Sequence, residues 1–194
     1  MPADLPAVVV GGLDMPDLPR VAIDQEAGAQ RATEFLLSLG HRTVWHIAGP
    51  SAWADARGRA RGWRRALRQA SVEVPPQMRG DWSARSGFEA GQRLAQNRAV
   101  TAIFVANDHM ALGALRALEL SGRRVPGDVS IVGFDDVPES PYYSPALTTI
   151  RQDFDSVGDE AVSTLLARID GVERVRSQLP LPDLVIRAST ARRS

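Results

Sequence analysis

Cysteine and lysine are both missing from the 194 residues, and each absence limits what the chain can be. Without cysteine, disulfides and thiolate metal sites are excluded. All 23 basic residues are arginine and 23 residues are acidic, so the formal net charge is zero. A neutral chain lacks the basic surface of a free-standing nucleic-acid-binding domain. Arginines cluster at 57–68 and 192–193, where a solvated helix face and a chain end are the simpler interpretation.

Long apolar runs are missing as well. No stretch contains 18 consecutive apolar residues, so no transmembrane helix is expected. The N-terminus has no basic segment and just three consecutive valines, too few for the core of a signal peptide. We therefore expect a cytoplasmic protein with no membrane partner. A hydrophobic content of 44% is enough for a globular core.

Motifs of catalysis are also missing. The chain contains no G-x-S-x-G, Walker or G-x-G-x-x-G pattern. Its histidines have no metal-ligand spacing, and we expect His41 at the surface, His46 in the core and His109 near a cleft. Asp135 and Asp136 are adjacent, and adjacent strand residues point to opposite faces, which argues against a shared metal or acid–base centre. We predict no metal, no cofactor and no enzymatic activity.

Short apolar runs alternate with helical patterns along the chain. Predicted strands lie at 7–10, 43–48, 101–106, 129–134, 147–150, 179–181 and 184–186, and predicted helices at 24–39, 56–70, 83–98, 109–121 and 154–169. Asp24 and Ser83 are the expected N-caps of the first and third helices. This alternation predicts an α/β fold with a mainly parallel sheet flanked by helices.

The stretch from Thr101 to Phe154 organises this pattern. Two of its predicted strands end in polar residues, Asn107 after the first and Asp135 at the second. Ligands of open parallel sheets bind beyond the carboxyl ends of the strands, so both side chains are expected to face a small molecule. The helix between them is apolar on two sides, which fits either a contact with a partner subunit or a fully internal helix.

A hydroxyl-rich ligand fits the polar residues best. Arg59 offers a fork of donors, Asn107 offers a donor and an acceptor, and Asp135 accepts from hydroxyl groups. Trp82 or Phe154 can supply an apolar face for stacking. The alternatives are core packing for the two aromatic residues and a solvated side chain for Arg59.

Several ordered segments together resemble the LacI/GalR family of bacterial transcription regulators. They are IDQEAG at 23–28, LGHRTVWHIAGP at 39–50, ARGRARGW at 56–63, GDWSARSGF at 80–88, the segment 102–136, SPALTTIRQDF at 144–154 and, more weakly, LPDLVIR at 181–187. The resemblance covers nearly the whole chain. It implies a periplasmic-binding-protein-like (type I) effector-binding domain, in which a ligand cleft lies between two α/β lobes joined by three chain crossings.

The resemblance also implies roles for single residues. The implied ligand-binding residues are Arg59, Trp82, Asn107, Asp135, Gln152, Phe154 and, in a variable cleft loop, Asp55 and Trp53. The implied dimer interface contains Met110, Leu112, Leu115, Tyr142 and Tyr143. One departure is Gly11, where the family pattern places an effector-binding Asp. The sugar therefore stays open, with a galactoside-like sugar as the first hypothesis.

A division of the chain follows from the same resemblance. Residues 1–23 are expected to be a remnant of the N-terminal lobe, 24–151 a C-terminal lobe, 152–180 the crossover back, and 181–194 a terminal strand and tail. One lobe is then complete and the other partial. The family's helix-turn-helix and the first half of its N-terminal lobe have no counterpart, so we expect a fragment of a longer regulator. The helix at 154–169 should expose apolar surface.

The resulting hypothesis is the sugar-sensing domain of a homodimeric repressor that contacts operator DNA only through the missing head. Two alternatives remain. One is a sugar-binding protein of a transport system. The other is an α/β enzyme, which needs a nucleophile or an acid–base pair that the sequence does not show.

Overall fold

One six-stranded sheet organises the computed structural model, which describes residues 5–12, 15, 17–172 and 179–193. In chain order the elements are β1 (Val9–Val10), β2 (Arg20–Val21), α1 (Gln25–Ser38), β3 (Trp45–Ala48), α2 (Ala54–Gln69), β4 (Met78–Arg79), α3 (Ala84–Ala95), β5 (Ala102–Val105), α4 (Asp108–Leu120), β6 (Ser130–Asp135), β7 (Thr148–Arg151), α5 (Phe154–Ile169) and β8 (Asp183–Val185). The strand order is β4-β3-β5-β6-β7-β8, parallel except for β8. The predicted α/β class with a mainly parallel sheet is confirmed.

The central strands are apolar on both faces because helices cover both faces of the sheet. Alternate residues of β5 point to opposite sides. Ile103 packs with α3 and α4 in one buried cluster, and Phe104 packs with α1 and α2 in another. Asp24 and Ser83 accept hydrogen bonds from backbone N–H groups in the first turns of α1 and α3, which confirms both predicted N-caps.

Helices α3 and α4 pack closely because glycines lie at their contact. A Cβ atom at Gly113 would overlap the Ala84 carbonyl, and one at Gly87 would overlap the backbone of Met110. This close approach fixes the N-terminus of α4 against α3 at the carboxyl end of the sheet, where the predicted ligand-binding residues lie.

A smaller layer stands beside the main sheet and consists of β1, β2 and α5. The two short strands are parallel, and Val157 of α5 packs on Val21 and Ile23 in a separate small core. The other face of α5 is open, with Val162, Leu166 and Ile169 more than half exposed. We call this unit the small layer. None of the helices in the described ranges is long and apolar enough to cross a membrane.

Two local predictions were wrong. Residues 179–181 form no strand, and the edge strand begins at Asp183, because Pro180 and Pro182 cannot donate to a sheet ladder. His41 is buried rather than at the surface. The C-terminal segment covers it: the backbone N–H of Arg193 donates to the Leu39 carbonyl, and burial together with the Arg193 charge lowers the pKa of His41.

Candidate functional site

Side chains from five parts of the chain converge at the carboxyl end of the main sheet. Arg59 comes from α2, and Asp135 ends β6. Asn107 follows β5, Gln152 follows β7, and Trp82 precedes α3. Parallel strands place their carboxyl ends at one edge, which is why segments distant in sequence meet here.

Arg59 is the centre of this cluster and is only 5% exposed. Its Nε donates to Gln25 Oε1 at 2.8 Å, its Nη1 donates to the Ala106 carbonyl, and its Nη2 lies 3.2 Å from Asp135 Oδ1. Burial lowers the pKa of Arg59, and the Asp135 charge opposes this shift. The solvated-arginine alternative is therefore wrong, because the guanidinium group is held in the interior by three partners.

A closed ring of hydrogen bonds joins Arg59 to three other side chains. Gln25 Nε2 donates to Gln152 Oε1 at 2.7 Å, and Gln152 Nε2 donates to Asp135 Oδ1 at 2.7 Å. Burial raises the pKa of the Asp135 carboxyl, although Arg59 and Gln152 partly oppose it. We call these four residues the ring. Gln25 was not predicted as a site residue. Its position directly after a predicted chain crossing is the feature of the sequence that could have indicated it.

Aromatic rings cover two sides of the Arg59 guanidinium. Its Cζ lies 3.9 Å from the ring centroid of Phe134 and 5.5 Å from that of Trp82. Phe134 was not predicted because it belongs to the buried strand β6. The edge of Trp53 meets Trp82 in a T-shaped contact at 6.3 Å, and the Trp53 side chain is half exposed. Phe154 is 61% exposed at the start of α5 and, together with Gln152, lines a pocket of about 370 Å³.

Trp82 is held in an unusual backbone conformation, with φ at 78°. Its indole occupies the space beside Gly49, where any Cβ atom would overlap the ring. Its carbonyl accepts a hydrogen bond of 3.0 Å from Asn107 Nδ2. A positive φ at a bulky residue costs about 1–3 kcal/mol and persists when surrounding contacts impose it. Trp82 also packs against the buried cluster that contains Ile103 and Met110, as the core-packing alternative expects.

Asn107 is the N-cap of α4, and its Oδ1 accepts from the Met110 N–H at 2.9 Å. Its amide nitrogen holds Trp82, as described above. The side chain therefore fixes the local structure around the site, and any ligand contact uses its remaining hydrogen-bonding capacity.

Asp108, the next residue, is fully buried and was missed by the sequence. It accepts hydrogen bonds from the Val137 N–H at 3.0 Å and from the hydroxyls of Ser140 and Thr149 at 2.6 Å each. Burial raises the pKa of Asp108 to about 6, against the effect of these donors. Asp108 thereby joins the turn after β6 to β7, and this turn begins directly after Asp135.

Asp135 and Asp136 both have positive φ angles, 115° and 55°, and point in opposite directions. Asp135 faces the ring, whereas Asp136 is 2.6 Å from Arg151 Nε and 2.6 Å from Arg187 Nη2. The prediction that they do not share one centre agrees with this geometry. Among the described residues, no three His, Asp or Glu side chains are grouped to hold a metal ion.

Asp55, in the first turn of α2, lies 3.5 Å from Arg20 Nη2 of β2. Its carboxylate also lies close to Gly12, because a Cβ atom there would be 3.0 Å from Asp55 Oδ2. Gly11 has φ at 79° and open space where a side chain would begin. The carboxylate of Asp55 therefore lies beside Gly12, the next residue in sequence, and not where a side chain at position 11 would begin.

The expected dimer residues fall into two groups. Met110 is completely buried and Leu115 is 5% exposed, because both face the core between α4 and the sheet, so their assignment to an interface was wrong. Leu112 is 43% exposed and Tyr142 is 86% exposed. Tyr143 is half-buried against the same core.

Comparisons with known proteins give a consistent result. A family model described as "Periplasmic binding protein-like domain" matches residues 33–190. The Lactose operon repressor of Escherichia coli (strain K12) is 38% identical over 188 residues, 96% of this chain and 52% of that protein. The HTH-type transcriptional repressor PurR of Salmonella paratyphi B is 40% identical over 169 residues, 85% of this chain and 50% of that protein.

Among solved structures, the Lac repressor dimer bound to operator and the anti-inducer ONPF superimposes with a TM-score of 0.89 at 38% identity, covering 97% of this chain and 66% of that one. The chain spans about half the length of the curated relatives it matches. These relatives are named as repressors and not as enzymes. The chain therefore belongs to the family of periplasmic binding protein-like domains, in the branch formed by the effector-binding regions of LacI-type transcriptional regulators.

Proposed function

We propose that this chain binds a small, uncharged, hydroxyl-rich effector at the ring and at Trp82, and that effector binding controls operator binding by its parent repressor. The observation that carries the proposal is the buried pair of Arg59 and Asp135, 3.2 Å apart beside the indole of Trp82. Planar groups that donate and accept in pairs suit hydroxyl groups, and the indole suits the apolar face of a sugar ring.

The charge of the site favours a neutral ligand over a phosphate or a carboxylate. Asp135 balances Arg59, and Asp55 lies 3.5 Å from Arg20. An anionic ligand would have to displace a carboxylate from its arginine and leave a buried charge uncompensated, which is costly. A sugar hydroxyl can share the existing donors and acceptors, so a galactoside-like sugar remains the first candidate.

Asp55 is proposed as the acidic group that the family pattern places at position 11. Its carboxylate lies on α2 beside Gly12, one residue further along the chain than position 11. Trp53, which precedes Asp55 and contacts Trp82, would then form one side of the cleft. Phe154 is proposed to reach the ligand from the start of α5. We also propose homodimerisation through the exposed face of α4, with Leu112 and Tyr142 at the contact.

Isothermal titration calorimetry of this chain with methyl β-D-galactoside, methyl β-D-glucoside and galactose 6-phosphate tests the proposal. We expect binding of at least one uncharged sugar and none of the phosphate. Arg59→Ala should weaken binding about 100-fold, because charge-assisted hydrogen bonds are lost. Arg85→Ala is the matched control, since Arg85 is exposed on α3 and pairs with Glu89. Unchanged sugar affinity in folded Arg59→Ala would refute the site.

A further inference from the structure

The ring contains one residue without an assigned role, Gln25. Its Oε1 accepts from Arg59 Nε at 2.8 Å, and its Nε2 donates to Gln152 Oε1 at 2.7 Å. The side chain is 8% exposed. Both functional groups of this amide are therefore used inside the protein.

The two charged residues of the ring, Arg59 and Asp135, determine how the amide groups of Gln25 and Gln152 are oriented. Arg59 can only donate, so Gln25 must present its oxygen to it. Asp135 accepts, so Gln152 must present its nitrogen. The remaining groups, the Gln25 nitrogen and the Gln152 oxygen, then match each other. Turning either amide over would set donor against donor or acceptor against acceptor, so the ring has one consistent arrangement.

Close packing of α1 on α2 holds Gln25 at this place. A Cβ atom at Gly58 would lie 3.0 Å from the Cβ of Gln25, and one at Gly62 would overlap the Glu26 carbonyl. Glycine at both positions lets the first turn of α1 approach α2 directly beside Arg59. The position of Arg59 relative to α1 is thus fixed both by a hydrogen bond and by backbone packing.

The ring also lies where the chain passes between the main sheet and the small layer. Gln25 begins α1 directly after residues 22–24, which lead from β2. Gln152 follows β7 and precedes Asp153, the N-cap of α5. We call residues 22–25 and 152–153 the two connections. The Gln25–Gln152 hydrogen bond ties one connection to the other.

In the ligand-free chain, Arg59 and Asp135 already form hydrogen bonds with the two glutamines, so a ligand that binds both residues competes for the same groups. If its hydroxyls take hydrogen bonds from Arg59 and give them to Asp135, the glutamines must shift, and the two connections shift with them. By thermodynamic linkage, the factor by which the ligand shifts the equilibrium between arrangements of the connections equals the factor by which that arrangement changes ligand affinity.

We propose that Gln25 is a positioning residue for Arg59, and that its hydrogen bond to Gln152 couples the ligand site to the placement of the small layer. The coupling to a ligand rests on the proposed function. The Gln25–Gln152 hydrogen bond between the two connections does not depend on the proposed function, because it is present without any ligand.

Amide hydrogen exchange of the ligand-free chain tests the tie, using Gln25→Met, Gln152→Met and the double variant. Each single change should raise exchange in α5 and in β1–β2 about tenfold, the effect of one lost buried hydrogen bond, and leave α3 unchanged. The double variant should show about the same tenfold rise, because both changes break one ring. Gln30→Met is the matched control, because Gln30 is a partly exposed glutamine of α1 that bonds to Glu34 and Gln69 outside the ring.

Two charged variants provide a second test. Gln25→Glu keeps an acceptor for Arg59, whereas Gln152→Glu sets a second carboxylate against Asp135. The urea midpoint should therefore fall clearly more for Gln152→Glu than for Gln25→Glu.

Unchanged exchange in α5 for both single Met variants would overturn the proposal. A double-variant rise of about a hundredfold, the product of two independent effects, would overturn it as well. Equal urea midpoints for the two Glu variants would contradict the assigned direction of the ring. None of these measurements uses a sugar, so failure of sugar binding in calorimetry counts against the proposed function alone.

Discussion

At the scale of single residues, two buried titratable side chains have opposed pKa shifts. Burial raises the pKa of Asp108 to about 6, and it lowers the pKa of His46 to about 4. His46 Nδ1 lies 2.9 Å from the Phe104 carbonyl and therefore carries the proton of the neutral ring, while Nε2 has no recorded partner among the described residues. Relative to the unfolded chain, the folded chain holds a proton more tightly on Asp108 and less tightly on His46.

These shifts predict opposite pH dependences. The contribution of Asp108 to stability is complete below about pH 4 and is lost as pH rises to about 6, since the folded state binds the extra proton in that window. The contribution of His46 is complete above its unfolded pKa of about 6.5 and is lost as pH falls towards 4. Each effect is on the order of 3 kcal/mol, so the two largely cancel in the native chain.

Urea unfolding between pH 4 and 7 measures both effects. Relative to the native chain, the free energy of unfolding of Asp108→Asn should rise with pH, and that of His46→Phe should fall with pH. If both variants gave curves parallel to that of the native chain, the buried environments assigned to these residues would be wrong.

The polar residues at strand ends were the part of the site that sequence could predict. Asp135 and Gln152 lie where the carboxyl-edge rule and the family resemblance place them, and they contact each other. Phe134 and Asp108 were hidden, because a buried strand aromatic and a helix-start acid have ordinary structural roles in most proteins. Met110 was misassigned because α4 is apolar on two faces, and the sequence does not show which face packs on the sheet and which is exposed.

At the scale of elements, the long helices were predictable, whereas two of the three shortest strands were not. Helix α1 follows an apolar spacing, a capping Asp and a terminal Gly, each with its own physical cause. Strands β1, β2 and β4 have two residues each. Strand β1 lies within the predicted strand at 7–10, but β2 and β4 were not predicted, because such short strands depend on their pairing partners. Strand β4 pairs with β3 through Met78 and Arg79, between a proline-rich segment and Gly80, where local patterns indicate a loop.

Helix α4 carries a prediction about assembly. Its inward face is buried, whereas Leu112 and Leu120 are exposed at i, i+8 spacing on its outward face, with Tyr142 also exposed. Sedimentation velocity should show a dimer that Leu112→Glu converts to monomer, because burying an unpaired carboxylate is costly. Leu166→Glu, on the open face of α5, is the matched control and should leave the dimer intact. A dimer that survives Leu112→Glu, or a native chain that stays monomeric, would contradict the proposed interface.

At the scale of the whole molecule, the main sheet and the small layer meet at the ring. The Arg20 side chain of β2 reaches Asp55 of α2 across this boundary, and the Gln25–Gln152 hydrogen bond lies beside it, so the contacts named here are polar. The main sheet has its own two large apolar clusters, whereas the small layer buries a few residues such as Val21 and Val157. A boundary held by polar contacts beside a weakly packed layer suits a site whose two sides move relative to each other.

The central claim is that an uncharged sugar binds beside Arg59 and stacks on Trp82. Its most direct test follows the indole N–H signals of the four tryptophans by NMR during titration with methyl β-D-galactoside and methyl β-D-glucoside, with Trp82→Phe to assign the signal. Trp82 and its neighbour Trp53 should shift with saturation, while Trp63, which is 1% exposed and bonded to the Val44 carbonyl, should not. Saturable shifts confined to Trp82 and Trp53 are the predicted result. An unmoved Trp82 signal at saturating sugar, or equal shifts at all four tryptophans, would contradict the account.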